Sequence, residues 1–548
     1  MLRYFSILLI LLFSCQEPES KETKQTGDQL PKLVVGIVVD QMRYDYLKRF
    51  WNKFENGGFK RLVNDGFNCK NTHFNYAPTY TGPGHASIYT GATPALHGII
   101  ANYWYDKYSG SEVYCVDDAD VQTIGSPLPV GLMSPKNMLV TTITDELKLS
   151  NKKSKTIGVS LKDRGAILPA GHMGDAAYWF DGNTGNWVTS THYMDSLPLW
   201  AQRFNKRKLA RQYLIQKWET LLPIEEYTES LPDDNPYEGL FEGEEKPVFP
   251  RDLFKLKDTN GEWNLIKATP FGNSLTKDMA VAAIEGEQLG TNEHTDFLCV
   301  SFSSTDYVGH QFGSRSIELE DTYLRLDRDL SELLTYLDEN IGVGNYMLFL
   351  TADHGAVSVP AYLMENKVPA GYFISFELKK AIEKELQEIY GEGNWIANFS
   401  NFQFFLNHQL IAEKNVNVQE MKKRIAEFSV RFDGVANALT SEELLQGHFE
   451  NRILQRVQNG FSQKYSGDVV IVLQPSWVEY PKTGTTHGSP YNYDTHVPLL
   501  WFGSGINSGS CADYVSITDI APTLATLLNV QFPNGCSGNP IVELTSGR

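Results

Sequence analysis

Leu33 to Val39 is an unbroken apolar, β-branched run that ends at Asp40. Such a run reads as a strand covered on both faces, the habit of a parallel sheet. Phe297 to Phe302 repeats the pattern and ends in Ser303-Ser304-Thr305-Asp306. Tyr346 to Leu350 repeats it again and ends in Thr351-Ala352-Asp353-His354-Gly355. Val469 to Leu473 and Val497 to Phe502 add two more runs. Helical spacing lies between them, as in Leu319–Leu337 and Ile517–Leu528. The alternation predicts an α/β fold with a largely parallel central sheet flanked by helices. Ligands of such sheets bind beyond the carboxyl ends of the strands. Three of these strands end in aspartate.

Two stretches fit that rhythm poorly. Residues 171–280 are rich in Trp, Tyr, Asn and Pro and read as an insertion, a cap over the site. Residues 372–468 hold the helical segments Ser375–Tyr390 and Val418–Phe428 and read as an accessory lobe. Both interrupt one catalytic domain spanning 32–548. Ahead of it, Arg3 and the short apolar run Tyr4–Phe13 form a signal peptide, 1–15, too short to span a bilayer. Leu12-Phe13-Ser14-Cys15 reads as a bacterial lipobox, with Cys15 the lipidated residue and 16–31 a polar tether. The expected place of work is therefore the periplasm or the outer-membrane surface, with a lipid anchor in the outer or inner membrane.

Composition narrows the partners. With 548 residues, 42% of them hydrophobic, the chain fills a large core. A net charge of -18 argues against nucleic acid and anionic lipid as partners, and an anionic substrate would need a locally cationic pocket. A monomer is expected. Of the cysteines besides Cys15, Cys69 with Cys115 and Cys511 with Cys536 are the expected disulfides, and Cys299 a buried thiol inside an apolar run.

Candidate chemistry starts at Tyr80-Thr81-Gly82-Pro83-Gly84-His85. The glycines and proline predict a loop, with a helix from Ala86 stopped by Gly91. A hydroxyl just before a helix either caps it or acts as a nucleophile favoured by the positive helix end, and local sequence favours the cap. The other strand ends change that balance. Asp306-x-x-x-His310 places two ligands on one helical face, Asp353 and His354 are adjacent at a turn, and His487 lies in the flexible loop Gly484–Gly488. Singly, each aspartate reads as a turn former and each histidine as a structural residue. Jointly, carboxylates and imidazoles after buried strands suit zinc.

These residues resemble a known family. The set Asp40, 75–85 (NYAPTYTGPGH), 97–105 (HGIIANYWY), 160–166 (SLKDRGA), Asp306 with His310, 351–355 (TADHG) and 486–488 (THG) is similar to the alkaline phosphatase superfamily, most closely to its phosphate-irrepressible, PafA-type members. The resemblance runs from about Lys32 to the end. It implies two zinc ions, one held by Asp306, His310 and His487, the other by Asp40, Asp353 and His354 with Thr81 as nucleophile bound to it. It further implies that Asn102, Lys162 and Arg164 contact the phosphoryl oxygens, and that a phosphothreonine forms and is hydrolysed. Where such relatives carry Ala-Cys-Gly-His after the nucleophile, this chain has Gly82-Pro83-Gly84-His85, which alters the helix start.

Charge then points to small phosphate monoesters. Two zinc ions, three aspartates and a threonine alkoxide sum to zero. Lys162 and Arg164 add two positive charges, matching a monoester dianion better than a diester monoanion. The plain alternative for Lys162-Asp163-Arg164 is a solvated turn, and for Asn102 a turn residue. The competing activities are a phosphodiesterase or nucleotide pyrophosphatase on the same fold and, in another class, a non-catalytic surface lipoprotein binding phosphorylated ligands. A sulfatase is disfavoured, because no Cys/Ser-x-Pro-x-Arg context surrounds Thr81.

Overall fold

The computed structural model describes residues 30–546. The signal peptide, the lipobox with Cys15 and all but the last two residues of the tether lie outside them. Among the described residues no helix is long and apolar enough to cross a membrane.

A ten-stranded sheet runs through the molecule. Its order is Gly509–Cys511, Phe67–Cys69, Leu499–Gly503, Tyr346–Thr351, Leu33–Val39, Asp296–Phe302, Thr156–Ser160, Ala176–Asp181, Asn186–Ser190, Thr123–Ile124. The five strands from Tyr346–Thr351 to Ala176–Asp181 are mutually parallel. Antiparallel neighbours flank them on both sides. Every residue of Leu33–Val39 is buried, because helices cover both faces, so no polar alternation survives in its sequence. Val39 lies opposite Phe302, Val38 opposite Thr351, and Ser301 opposite Ser160. That register sends Asp40, the residues after Phe302, Asp353 and Lys162 out of the same edge of the sheet.

Two strands differ from expectation. Val469–Leu473 does not join the central sheet; it pairs with Gln403–Leu406 and Val435–Thr440 in the accessory lobe. The reason is visible in its packing. Val469, Ile471 and Leu473 face one apolar cluster, while Val470 and Val472 face another. Any strand covered twice reads as a continuous apolar run, whichever sheet it serves. The run at Val497–Phe502 is interrupted at Pro498, and Leu499–Gly503 runs antiparallel to Tyr346–Thr351.

The aromatic stretch 171–280 begins with two central-sheet strands, Ala176–Asp181 and Asn186–Ser190. From Leu197 to Ala280 its buried apolar side chains pack into the main core. It also reaches the His487 loop, where the Tyr237 carbonyl accepts a bond from Gly484 N–H at 2.8 Å. The accessory lobe has a core of its own, built from Ser375–Tyr390, Val418–Ser429 and a four-stranded antiparallel sheet. It grips the hairpin Tyr103–Asp106/Ser111–Tyr114 of the main body. Asn401 Nδ2 donates to Tyr103 O at 2.7 Å, and Lys107 Nζ donates to the carbonyls of Gln463 and Ser466.

Candidate active site

The helix that carries Thr81 starts earlier than its sequence suggests, covering Thr81–Thr90. Gly82, Pro83 and Gly84 form its first turn instead of a loop. A proline there costs nothing, since first-turn N–H groups have no intrahelical acceptor. Thr81 is the first helical residue and not the cap. The residue before it, Tyr80, makes no side-chain capping bond. Gly84 is required by space: a Cβ at that position would lie 2.4 Å from the Asp353 carbonyl oxygen. The glycine seats the helix against the strand end that carries Asp353, so Thr81 and Asp353 are held side by side.

Asp306 and His310 share a face of the helix Ser304–Phe312, with Nε2 of His310 3.1 Å from Asp306 Oδ1. His487 Nε2 is 3.7 Å from the same oxygen. His354 Nε2 lies 3.5 Å from Asp40 Oδ1 and 3.5 Å from Asp353 Oδ2. Asp306, His310 and His487 form one group able to hold an ion, and Asp40, Asp306 and His354 a second that overlaps it. All six expected ligands therefore meet at one place, and Asp306 stands nearer the second group than the sequence suggested.

The imidazoles are oriented alike. Nδ1 of His310 bonds Thr485 O, Nδ1 of His487 bonds Thr79 O, and Nδ1 of His354 bonds Gly355 O, at 2.7 to 2.9 Å. A carbonyl only accepts, so each Nδ1 carries the proton and each Nε2 presents its lone pair inward. Metal-binding histidines show this arrangement. Asp40 Oδ1, Asp353 Oδ2 and His354 Nε2 are buried without any hydrogen-bond partner. Leaving three buried acceptors unpaired is costly, and a cation among them satisfies all three. The residues thus fit divalent ions.

Lys162 stands between the carboxylates. Its Nζ donates to Asp40 Oδ2 and Asp306 Oδ2, each at 2.6 Å, and lies 3.4 Å from Thr81 Oγ1. Burial and the neighbouring Asp306 push the Asp40 carboxyl up to about 6, with Lys162 pulling the other way. Asn102 Oδ1 accepts from Gly82 N–H at 2.7 Å, which fixes the carboxamide beside Thr81. Arg164 Nη1 donates to Tyr114 Oη at 3.0 Å, while its Nε is buried without a partner.

Three supporting residues escaped the sequence reading. Gln41 donates its backbone N–H to Asp353 Oδ1 and its Nε2 to Asp306 Oδ1, tying the two groups together. His85 bonds Thr81 O through Nδ1 and Ser301 Oγ through Nε2, each at 2.9 Å; burial pushes it down to about 3, so it stays neutral. Tyr114 donates to Asp163 and receives Arg164, which sets the guanidinium. His85 stands in the quoted 75–85 motif without an assigned role, and Gln41 and Tyr114 act through contacts made only by folding.

The model of the type I phosphodiesterase / nucleotide pyrophosphatase family matches residues 34–496. The chain belongs to this family. Within the type I phosphodiesterase / nucleotide pyrophosphatase family it is 48% identical over 547 residues to alkaline phosphatase PhoV of Synechococcus elongatus, covering 98% of each chain. It is 45% identical over 518 residues to alkaline phosphatase PafA of Elizabethkingia meningoseptica, covering 94% of each. A Myroides odoratus protein named calcium-transporting ATPase is 49% identical over 518 residues, again 94% of each. The crystal structure of wild-type PafA matches with a TM-score of 0.91 at 44% identity, over 94% of this chain and 99% of that one. The mixed α/β architecture of this chain is that of PafA.

Proposed function

We propose that this chain is an exported alkaline phosphatase that hydrolyses small phosphate monoesters through a phosphothreonine at Thr81. The observation that carries the reading is the convergence of three inward-facing Nε2 atoms, three buried aspartates and the Lys162 ammonium beside one threonine hydroxyl. The relatives named alkaline phosphatases support it over nearly their whole length. We assign one zinc ion to Asp306, His310 and His487, and a second to Asp40, Asp353 and His354 with Thr81. Such a pair of ions, when bound, lowers the pKa of coordinated oxygens and offsets charge on the attacking and departing atoms.

The chain's own residues do the rest. In the first turn of the Thr81 helix the Gly82 N–H is taken by Asn102 Oδ1, the Gly84 N–H by Tyr80 O, and Pro83 has none, so side chains receive the anion. Asn102 is held against that turn by Gly82. Lys162, 3.4 Å from the hydroxyl, and Arg164, set by Tyr114, receive the non-bridging phosphoryl oxygens. Thr81 Oγ1 bonds to phosphorus as the ester oxygen leaves with the alcohol. Water then attacks the same phosphorus, releasing inorganic phosphate and restoring the hydroxyl. Cys15 would tether the enzyme to a membrane, leaving a monomeric catalytic body in the periplasm or at the cell surface.

Thr81→Ala should lower p-nitrophenyl phosphate hydrolysis by at least about 10³-fold with the fold intact. A chelator should abolish wild-type activity, and zinc should restore it. Unchanged activity in Thr81→Ala, or indifference to chelator, rejects the assignment. The family's name makes phosphodiester cleavage the second reading. Lys162→Ala combined with Arg164→Ala separates the two: monoester turnover should fall by about 10²–10³-fold, and bis-p-nitrophenyl phosphate turnover by less than about 10-fold. Equal losses would remove the charge-matching argument. ATP belongs in the same substrate panel, since one relative is named an ATPase.

A further inference from the structure

The expected disulfide partners are not brought together. Cys115 packs beside Gly82, close to the Thr81 helix, and Cys536 beside Gly91 at the far end of that helix. Cys299 is buried in the central sheet, its thiol directed at Pro169 O. The remaining two cysteines meet each other instead. Phe67–Cys69 and Gly509–Cys511 form the outermost parallel pair of the sheet, with Cys69 directly opposite Cys511. The bond from Lys70 N–H to Cys511 O at 2.9 Å locks that rung.

Directly opposed residues project to the same face of strands that are about 4.8 Å apart. That separation falls inside the Cα window a disulfide accepts, about 4.4–6.8 Å. Both are free thiols in this structure, on paired positions of adjacent strands. Cys69 is fully buried, whereas Cys511 on the edge strand is half-buried. A disulfide oxidant arriving from solvent therefore meets the Cys511 thiol first.

We propose that Cys69 and Cys511 form a structural disulfide in the mature protein. This rests on the export reading above, since only an oxidising compartment sustains such a bond. The oxidant is a small or protein disulfide. Cys511 thiolate attacks it, making a mixed disulfide and releasing one thiol. Cys69 thiolate then attacks Cys511 sulfur and releases the second thiol. One S–S bond forms as one breaks, and the two protons lost by the cysteines end on the two released thiols. The link ties a three-residue edge strand to the body and joins positions 442 residues apart, restraining the unfolded chain strongly.

Purified protein incubated with oxidised glutathione, denatured with an alkylating agent and digested without reductant tests this directly. Because the oxidant is supplied, the result does not depend on export, and phosphatase activity measured beside it does not depend on the disulfide. A peptide pair linking Cys69 to Cys511 is expected, with Cys115, Cys299 and Cys536 alkylated. Free thiols at both positions, a glutathione adduct left on Cys511, or linkage to another cysteine would overturn the proposal. Reduction of the oxidised wild type by a phosphine should lower its melting temperature by about 2 °C or more. Cys511→Ser should show no response. A wild type equally indifferent to the phosphine would count against the bond.

Discussion

Two regions of this molecule bury acidic side chains together, and they solve the problem in opposite ways. At the proposed reaction centre, Asp40, Asp306 and Asp353 are all nearly or fully inaccessible. Within the stretch 171–280, Glu238 and Glu244 gather with Glu318 around Arg251, whose guanidinium donates to Glu318 at 2.7 Å and to Glu244 at 2.9 Å. Phe312, Phe249 and Trp218 surround that guanidinium at 4.6 to 5.5 Å. Burial pushes carboxyl groups upward in both places. Burial of acids therefore does not by itself mark a site. The difference lies in the partners. The second cluster carries its cation covalently and packs it in aromatic rings. The first adds three imidazoles with Nε2 facing inward, and among the described residues only this centre holds groups able to bind an ion.

The largest effect that could break this contrast comes from Asp353→Asn. Its Oδ2 makes no hydrogen bond within the chain and lies 3.5 Å from His354 Nε2 and from His85 Nδ1. An amide there keeps the shape but loses the charge. Activity should fall by about 10²-fold or more, with weaker zinc retention in dialysis and a nearly unchanged melting temperature in chelator. A variant that keeps its zinc and its rate would place this aspartate in the structural class. Next comes Arg251→Met, which should do the reverse. It leaves buried carboxylates without their cation, at a cost of about 3–5 kcal/mol in denaturant unfolding at alkaline pH. Specific activity of the remaining folded enzyme should stay within about twofold, since Arg251 contacts no proposed ligand. Loss of activity without loss of stability would show that the two clusters are not separate.

How much of this contrast was legible depends on distance along the chain. Asp306 and His310 are four residues apart on one helix, so their pairing follows from helical geometry alone. The strand ends at Asp40 and Asp353 follow from apolar runs. Gln41 reads as nothing in particular, yet it bonds two aspartates 265 and 312 residues away. Its φ of 64° aims the backbone N–H at Asp353, a conformation that non-glycine residues seldom adopt and that no neighbour announces. Val469–Leu473 misleads for the converse reason: two separate apolar clusters cover it, and an apolar run carries no record of which sheet it joins. Arg251 and Glu238 stand 13 positions apart in an irregular stretch, and only the fold reveals their proximity to Glu318.

The smallest expected effect sharpens the contrast most, because it asks whether the second cluster is merely tolerated. Glu238 lies beside Glu318; burial first, then repulsion from Glu318, raises its carboxyl well above the ordinary glutamate value of 4.5. The sign follows from proton linkage. A folded-state value above the unfolded one means that the native protein holds the extra proton. The stability this contributes is complete below about 4.5 and is lost as the pH climbs through the raised value. The wild type should thus lose part of its unfolding free energy between pH 6 and pH 9.5. Glu238→Gln removes the titrating group while keeping its volume and its bond from Asn235 Nδ2. The variant should lose less over the same interval, by about 1–2 kcal/mol, and so be the more stable protein in the alkaline range. Urea unfolding at the two pH values measures the difference. Parallel losses in wild type and variant would mean that Glu238 is already ionised at pH 6. Arg251 would then balance both glutamates, and the two clusters would be closer in kind than their partners suggest.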